Sequence, residues 1–315
     1  MAADPSATAK RSYTYLRLGM AGVLLALAFS IGYEVVSEGG CWQRSISAYY
    51  YTASRAVFVG ALVALALAMI TVLGSTPAED VGLNLAGLFA PVVAFVPTRE
   101  FDNCSLLVSP ATIRAAEARG DAIRTARAAA AETAEAAVVN NMVTYLLVVA
   151  AALALLKLMP SLAARRDHDA DPNWRTTLRL SYGAGWAFCV AYAAWLTLAE
   201  DHFKRWAHLT SAISLFVCIV VVVVATAYDR TATRDVDEPT RVFLQSLPNR
   251  LARALPSRYG LIAAAMIIGF LGCVVVRWAT GWVHWFLVIE ILMIALFAVF
   301  WIVQTLELWD RVQAD

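Results

Sequence analysis

Eight apolar stretches, each close to the length that carries a helix across a bilayer, divide this chain at about 17–36, 53–73, 82–97, 139–159, 178–199, 207–228, 259–279 and 282–303. A helix rises about 1.5 Å per residue, so about 20 apolar residues cross a hydrocarbon layer roughly 30 Å thick. Inside that layer no water satisfies backbone N–H and C=O groups, so only helices or a closed barrel can span it. The stretches show no strand-like alternation, which selects helices. The expected fold class is therefore all-α: a polytopic transmembrane bundle of about eight spans, forming one integral membrane domain over 1–315. The third stretch is the shortest; it contains Pro91 and is bounded by Pro97.

Composition agrees. The chain is 60% hydrophobic and 16% charged, against about 45–50% and 25% in soluble domains. A net charge of +1 supplies no field for nucleic acid. No GxxxxGK[ST] loop occurs, and no soluble segment is large enough to fold alone. Lys10, Arg11 and Arg17 precede the first apolar run as in a signal peptide, but no A-x-A site closes it, so a retained first span is expected.

Cytoplasmic loops carry the excess of Lys and Arg. With the N-terminus inside, 15 of the 25 basic residues fall in inner segments. Five (Arg44, Arg55, Lys204, Arg205, Arg277) fall in short outer ones, and five (Arg99, Arg114, Arg119, Arg124, Arg127) in the long third connection. The expectation is a multi-pass plasma-membrane protein with both termini cytoplasmic. Cys41 and Cys104 then both lie outside, where an oxidising environment permits a disulfide between them. Cys189, Cys218 and Cys273 fall within spans and read as packing residues.

The third connection reads as an outer helix over about 109–139. Ser109-Pro110 is an N-cap followed by proline at the first helical position, ahead of a run rich in Ala, Arg and Glu. Such a helix packs over the mouth of the bundle or offers a surface to a partner or a second copy of the chain. Gly120 is its weak point.

Polar residues in costly places carry the functional reading. Glu290, in "WVHWFLVIEILMIAL", falls near mid-depth of the last span, where a carboxylate costs about 2.5–3.5 kcal/mol and demands a partner. Glu34 ends the first span. Between spans one and two lies "CWQRSISAYYYTASR", with Arg44, Ser45, Ser47, Tyr49, Tyr50 and Tyr51. Consecutive helical residues point about 100° apart, so at least one tyrosine of the triplet faces the protein rather than an aromatic belt in lipid. His202, His208 and His284 map to the outer ends of spans five, six and eight, with Glu200 and Asp201 adjoining His202.

The phrases "SISAYYYTASRAVFVGAL", "NLAGLFAPVVAFVPT" and "AHLTSAISLF" resemble those of bacterial membrane proteins related to the damage-regulated autophagy modulator, Frag and Sfk group. That resemblance covers spans two, three and six, with weaker similarity in the last. It implies a helical bundle and points to Ser45, Ser47, Tyr49, Tyr50, Arg55, Asn84 and His208. The chain departs from the group, which has about six spans, in its eight stretches and its inserted outer helix.

Three readings follow. In the first, a non-enzymatic outer-leaflet pocket of Glu34, Arg44, Ser45, Ser47, Tyr49, Tyr50, His208 and Glu290 binds a lipid headgroup or small ligand, with membrane lipids as partners. In the second, His202, His208 and His284 hold Zn²⁺ for a membrane hydrolase with Asp201 as base; against it, no H-x-x-x-H or H-E-x-x-H occurs, and histidines at helix ends also serve as plain hydrogen-bonding groups. In the third, Glu290 is the proton or cation site of a transporter or channel.

Overall fold

The computed structural model describes residues 5–74, 76–99, 101, 102, 104, 106, 122–158, 174–232 and 257–314. Among them there is no strand. Eight long helices account for nearly all: α1 (Pro5–Ser37), α2 (Arg55–Thr71), α3 (Pro77–Phe95), α4 (Ala122–Leu158), α5 (Trp174–Leu198), α6 (Glu200–Ala232), α7 (Arg258–Thr280) and α8 (Trp285–Ala314). A single 3-10 turn, Ile46–Tyr51, lies between α1 and α2.

Among the described residues, six helices are long and apolar enough to cross a membrane: Ser12–Ser37, Pro77–Phe95, Ala128–Leu158, Glu200–Asp229, Arg258–Thr280 and Trp285–Glu307. The α2 helix is as apolar but has only 17 residues, about 26 Å at the helical rise. Thr176, Thr177, Arg179 and Ser181 dilute the apolar character of α5. All eight stretches picked out by hydropathy are thus helical, and six meet the criterion for a span.

Helix ends follow local chemistry. The α3 helix starts at Pro77, five residues before the apolar run, because Thr76 accepts a hydrogen bond from the Glu79 N–H and Pro77 occupies the first turn. Glu200 and Asp201 open α6, where acids complement the helix dipole. Ser257 caps α7 by accepting from Gly260 N–H at 2.9 Å.

The helices α1, α2, α3, α6, α7 and α8 contact one another in that order round a closed ring. Outside α3, α4 and α5 form a second layer, where Phe89, Tyr145, Phe188 and Tyr192 interlock their rings. The α3 helix is the hub, and it is the most buried of the six apolar helices. Two glycines let its neighbours approach. A Cβ on Gly87 would lie 2.6 Å from the Ile70 side chain and 2.8 Å from the Ala66 carbonyl oxygen of α2. A Cβ on Gly82 would lie 2.7 Å from Val222 of α6. Small residues at helix contacts are the membrane solution to close packing. Gly87→Leu is therefore expected to force α2 off α3 and cost at least about 1–3 kcal/mol, read as a lowered unfolding midpoint in detergent.

The continuous α4 extends beyond its span toward the 3-10 turn. Ala130 and Ala134 join the cluster that contains Tyr51 and Phe101, and Arg99 pairs with Glu135 at 2.8 Å. Its amino-terminal portion thus packs over the end of the bundle that carries the turn. The segment 107–121, which holds the start of the expected outer helix and Gly120, lies outside the described residues. Trp42, Trp206, Trp278 and Trp282 stand exposed at this turn end, and Tyr15 and Tyr228 at the opposite end. These positions suit aromatic rings at two membrane interfaces.

Candidate functional site

The 3-10 turn is short, and its first N–H groups have no partner within it. Ser45, in extended backbone, caps it by accepting from Ala48 N–H at 3.1 Å. The Ile46 N–H finds its acceptor 244 residues away: Glu290 Oε2 of α8, at 2.6 Å. Glu290 Oε1 also accepts from the Ser47 hydroxyl at 3.3 Å. A carboxylate from the last helix therefore caps a turn near the start of the chain. Glu290 is the sixth residue of α8, about 8 Å along its axis. It lies in the first third of the helix. Glu290→Ala leaves the buried Ile46 N–H without an acceptor, so a loss of about 1–3 kcal/mol is expected, measured as an unfolding midpoint.

All three tyrosines of the triplet are buried in protein, and none faces lipid. The Tyr51 hydroxyl donates to Thr98 O at 2.7 Å, and its ring stacks on Phe101 at 3.8 Å. The Tyr50 hydroxyl accepts from Arg55, whose guanidinium also sits 4.1 Å over the Tyr50 ring. The Tyr49 hydroxyl faces Gln43 N at 3.5 Å. Burial pushes the Tyr49 and Tyr51 phenols above their ordinary values; the Glu34 charge adds to this at Tyr49, and Tyr50 and Glu135 add to it at Tyr51.

A second set of contacts fastens the chain above the turn. Cys41 and Cys104 form a disulfide with a Cα–Cα distance of 5.7 Å. Gln43 Nε2 donates to the Asp102 and Cys104 carbonyl oxygens at 3.2 and 3.0 Å, and Gln43 Oε1 accepts from Asp102 N–H at 2.7 Å. Arg44 pairs with Asp102 at 3.0 Å on the surface. Arg44 is thus committed to a neighbouring loop and does not join Glu290.

Beneath the turn lies a cavity of about 60 Å³ inside the helical ring. Its walls come from α1, α2, α3, α6, α8 and the turn, with Leu27, Phe58, Met69, Val93, Phe216 and Phe297 representative. Of 17 lining residues only Ser47 and Glu290 are polar. The α2 lining runs from Phe58 to Met69, about 16 Å along the helix, so the cavity is long and narrow. Of the eight positions expected to form a pocket, Ser47 and Glu290 line this one. Ser45, Tyr49, Tyr50 and Arg44 are satisfied as described above. Glu34 is buried near Tyr49 with its Oε1 lacking a hydrogen-bond partner among the described residues.

The three outer histidines do not converge. His208 is buried with Nδ1 2.6 Å from Val96 O. His202 Nδ1 accepts from the Trp195 indole at 3.0 Å. His284 precedes α8, half-buried, where its carbonyl oxygen accepts from Val288 N–H at 3.1 Å. Among the described residues no group of three or more His, Cys, Asp or Glu side chains is placed to hold a metal. The zinc reading finds no ligand set there: His208 is held by the Val96 carbonyl at the end of α3, and His202 by Trp195 of α5.

The opposite end of the bundle holds a polar network that hydropathy did not reveal. Arg17 of α1, 2% exposed, donates to Gln304 Oε1 of α8 at 2.8 Å and to the Tyr13 hydroxyl at 2.6 Å. Gln304 Nε2 donates onward to Glu79 Oε1 of α3 at 2.8 Å. The guanidinium lies 4.5 and 4.8 Å from the Tyr13 and Trp301 ring centres. Asn84, grouped with the turn residues by resemblance, lies in α3 toward this end, where it donates to Asp80 Oδ2 and Ser181 Oγ. One signal for Arg17 was present: Arg17, Met20, Leu24, Leu27 and Ile31 recur at helical spacing along one buried face.

The chain matches no protein-family model, no curated protein and no solved structure. The helices and cavity therefore define the class, an all-helical protein apolar enough for a bilayer, on their physical chemistry alone.

Proposed function

We propose that this chain is a non-enzymatic integral membrane protein whose pocket beneath the turn binds a small ligand or the polar headgroup of a lipid, with the polar contacts at Ser47 and Glu290. The supporting observation is the narrow cavity with 15 apolar walls and two polar groups gathered at one end. Its volume decides the class of occupant. An apolar cavity of about 150 Å³ takes a benzene ring; 60 Å³ is less than half of that and suits a small group of two or three carbons. Burial of that group supplies the driving force, about 0.8 kcal/mol per CH₂ removed from water.

The reading places all eight helices across the plasma membrane, with both termini cytoplasmic and the turn end outside. The disulfide at the turn end and the basic residues assigned to the other side by sequence both support that orientation. Reporter fusions at residues 1 and 315 test it, and reporters on opposite sides would overturn it. Kinship with the damage-regulated autophagy modulator, Frag and Sfk group is proposed on the quoted phrases.

Organic extraction of purified protein, followed by mass spectrometry, tests occupancy. Wild type is expected to retain a small molecule or a lipid in stoichiometric amount. Ala212→Phe fills the cavity from α6 and is expected to lose it while remaining folded. Equal retention by both would overturn the reading.

A further inference from the structure

The segment 41–47 crosses the turn end of the pocket as a strap, and Ile46 and Ser47 at its end form part of the pocket wall. On the α1 side it hangs from Gly39 and Gly40, whose φ angles are +68° and +90°. A Cβ on either would meet nothing within 4 Å, so the left-handed backbone, not close packing, is what calls for glycine there. On the α2 side the tyrosines anchor it: the Tyr51 hydroxyl donates to Thr98 O and its ring stacks on Phe101, while Tyr50 holds Arg55. On the pocket side Glu290 accepts from Ile46 N–H and the Ser47 hydroxyl. On the other side Gln43 and Arg44 bond to Asp102 and Cys104, and the Cys41–Cys104 disulfide adds one covalent tie. Hydrogen bonds and an exposed ion pair open and close reversibly; the covalent tie does not.

Resting on the pocket reading above, we infer that the 41–47 strap is a lid on the pocket and that the Cys41–Cys104 disulfide is its redox latch. A dithiol reductant frees the strap to swing about Gly39 and Gly40, which uncovers Ser47 and Glu290. The two sulfurs are unequally placed for that reaction. Cys41 is exposed, whereas Cys104 is 7% exposed, so the incoming thiolate attacks Cys41. The Cys41–Cys104 bond breaks as a mixed disulfide forms at Cys41, and Cys104 leaves as a thiolate that takes up a proton. The second thiol of the reductant then displaces Cys41, which is protonated in turn, and the reductant departs as its own disulfide. Two electrons and two protons pass to the pair, and oxidation by the reverse exchange closes the lid.

The experiment measures access to Glu290 with a water-soluble carbodiimide and a small amine, which together convert a reachable carboxyl group to an amide. It uses the full protein in nanodiscs, with the modified residues located by mass spectrometry. Glu79, fully buried at the opposite end of the bundle, is the internal control. Modification of Glu290 is expected to be at least about tenfold faster in reduced than in oxidised wild type, since a native disulfide holds its segment by more than that factor. The Cys41→Ser/Cys104→Ser double variant should match the reduced protein without reductant, and Glu79 should stay unmodified throughout. Equal Glu290 rates before and after reduction would overturn the inference. So would faster modification of Glu79 alongside Glu290, because the bond would then hold the whole fold rather than the strap. Organic extraction of the oxidised protein separates this inference from the reading beneath it. A retained molecule with equal Glu290 rates overturns the lid alone; no retained molecule overturns the pocket, and with it the lid.

Discussion

Arg17→Met should be the most damaging single substitution in this bundle, lowering its stability by about 3–5 kcal/mol, the cost of breaking a buried charged network by removing one partner. The side chain is 2% exposed and donates to Gln304 and Tyr13, and Gln304 passes the link on to Glu79. Methionine preserves much of the stem volume against the Tyr13 and Trp301 rings, so the loss reports the charge and its hydrogen bonds rather than a void. It leaves the Gln304 oxygen unpaired and Glu79 without the distant positive charge. Combining it with Glu79→Gln tests the coupling: two sites in one hydrogen-bonded network should give a double-variant loss that departs from the sum of the single losses. The measurement is a denaturation midpoint in detergent for the two single variants and the double. A loss within the range of a surface ion pair, about 0–1 kcal/mol, would show that water reaches this charge in the folded protein.

Removal of the Cys41–Cys104 bond is the second large effect. The cross-link closes 63 residues of sequence separation, and loops of that order lose about 2–5 kcal/mol when a native disulfide is cut. The loss should fall on the turn end. Gln43 holds the backbone of Asp102 and of Cys104 through three hydrogen bonds, and Arg44 holds Asp102; without the covalent tie these contacts must order the loop alone. The expected result is a lower unfolding midpoint for wild type under reductant and for Cys41→Ser without it, with reductant having no further effect on the variant. Identical midpoints with and without reductant would refute the assignment of stability to this bond.

The two effects sit at opposite ends of the same apolar shaft. At one end the turn is capped by Glu290 and fastened by the disulfide loop. At the other, α1, α3 and α8 are joined through Arg17, Gln304 and Glu79. Between them the α1 face carries Met20, Leu24, Leu27 and Ile31, all buried. Polar ties cluster at the two ends of the bundle, and apolar packing fills the interval, the pattern that a low-dielectric solvent would demand.

Much of the architecture could be read along the chain. Each of the eight apolar stretches is a helix, and Cys41 and Cys104 meet in a disulfide. The site was legible only in fragments. Glu290 and Ser47 were marked by their cost and setting, but nothing in their spacing said that one would cap the turn containing the other. Arg17 passed as a topology signal because it begins a span. Glu79 escaped notice because it precedes the apolar run of α3. The histidines, close in expected depth, form no group among the described residues that could hold a metal, and depth alone does not bring groups together.

Hydropathy is a sum over some twenty neighbouring residues, so the amino-acid order by itself determined that these segments are helices suited to lipid and roughly where each begins. Which helix touches which was decided only in three dimensions. A helix in lipid is apolar toward its neighbours and toward the bilayer alike: Leu24 and Leu27 of α1 are buried while Leu18, Leu25 and Phe29 are exposed. With no polar face to mark the outside, rotation and partner are set by steric fit at positions such as Gly82 and Gly87. The assembled ring places Glu290 under Ile46 and Gln304 between Arg17 and Glu79.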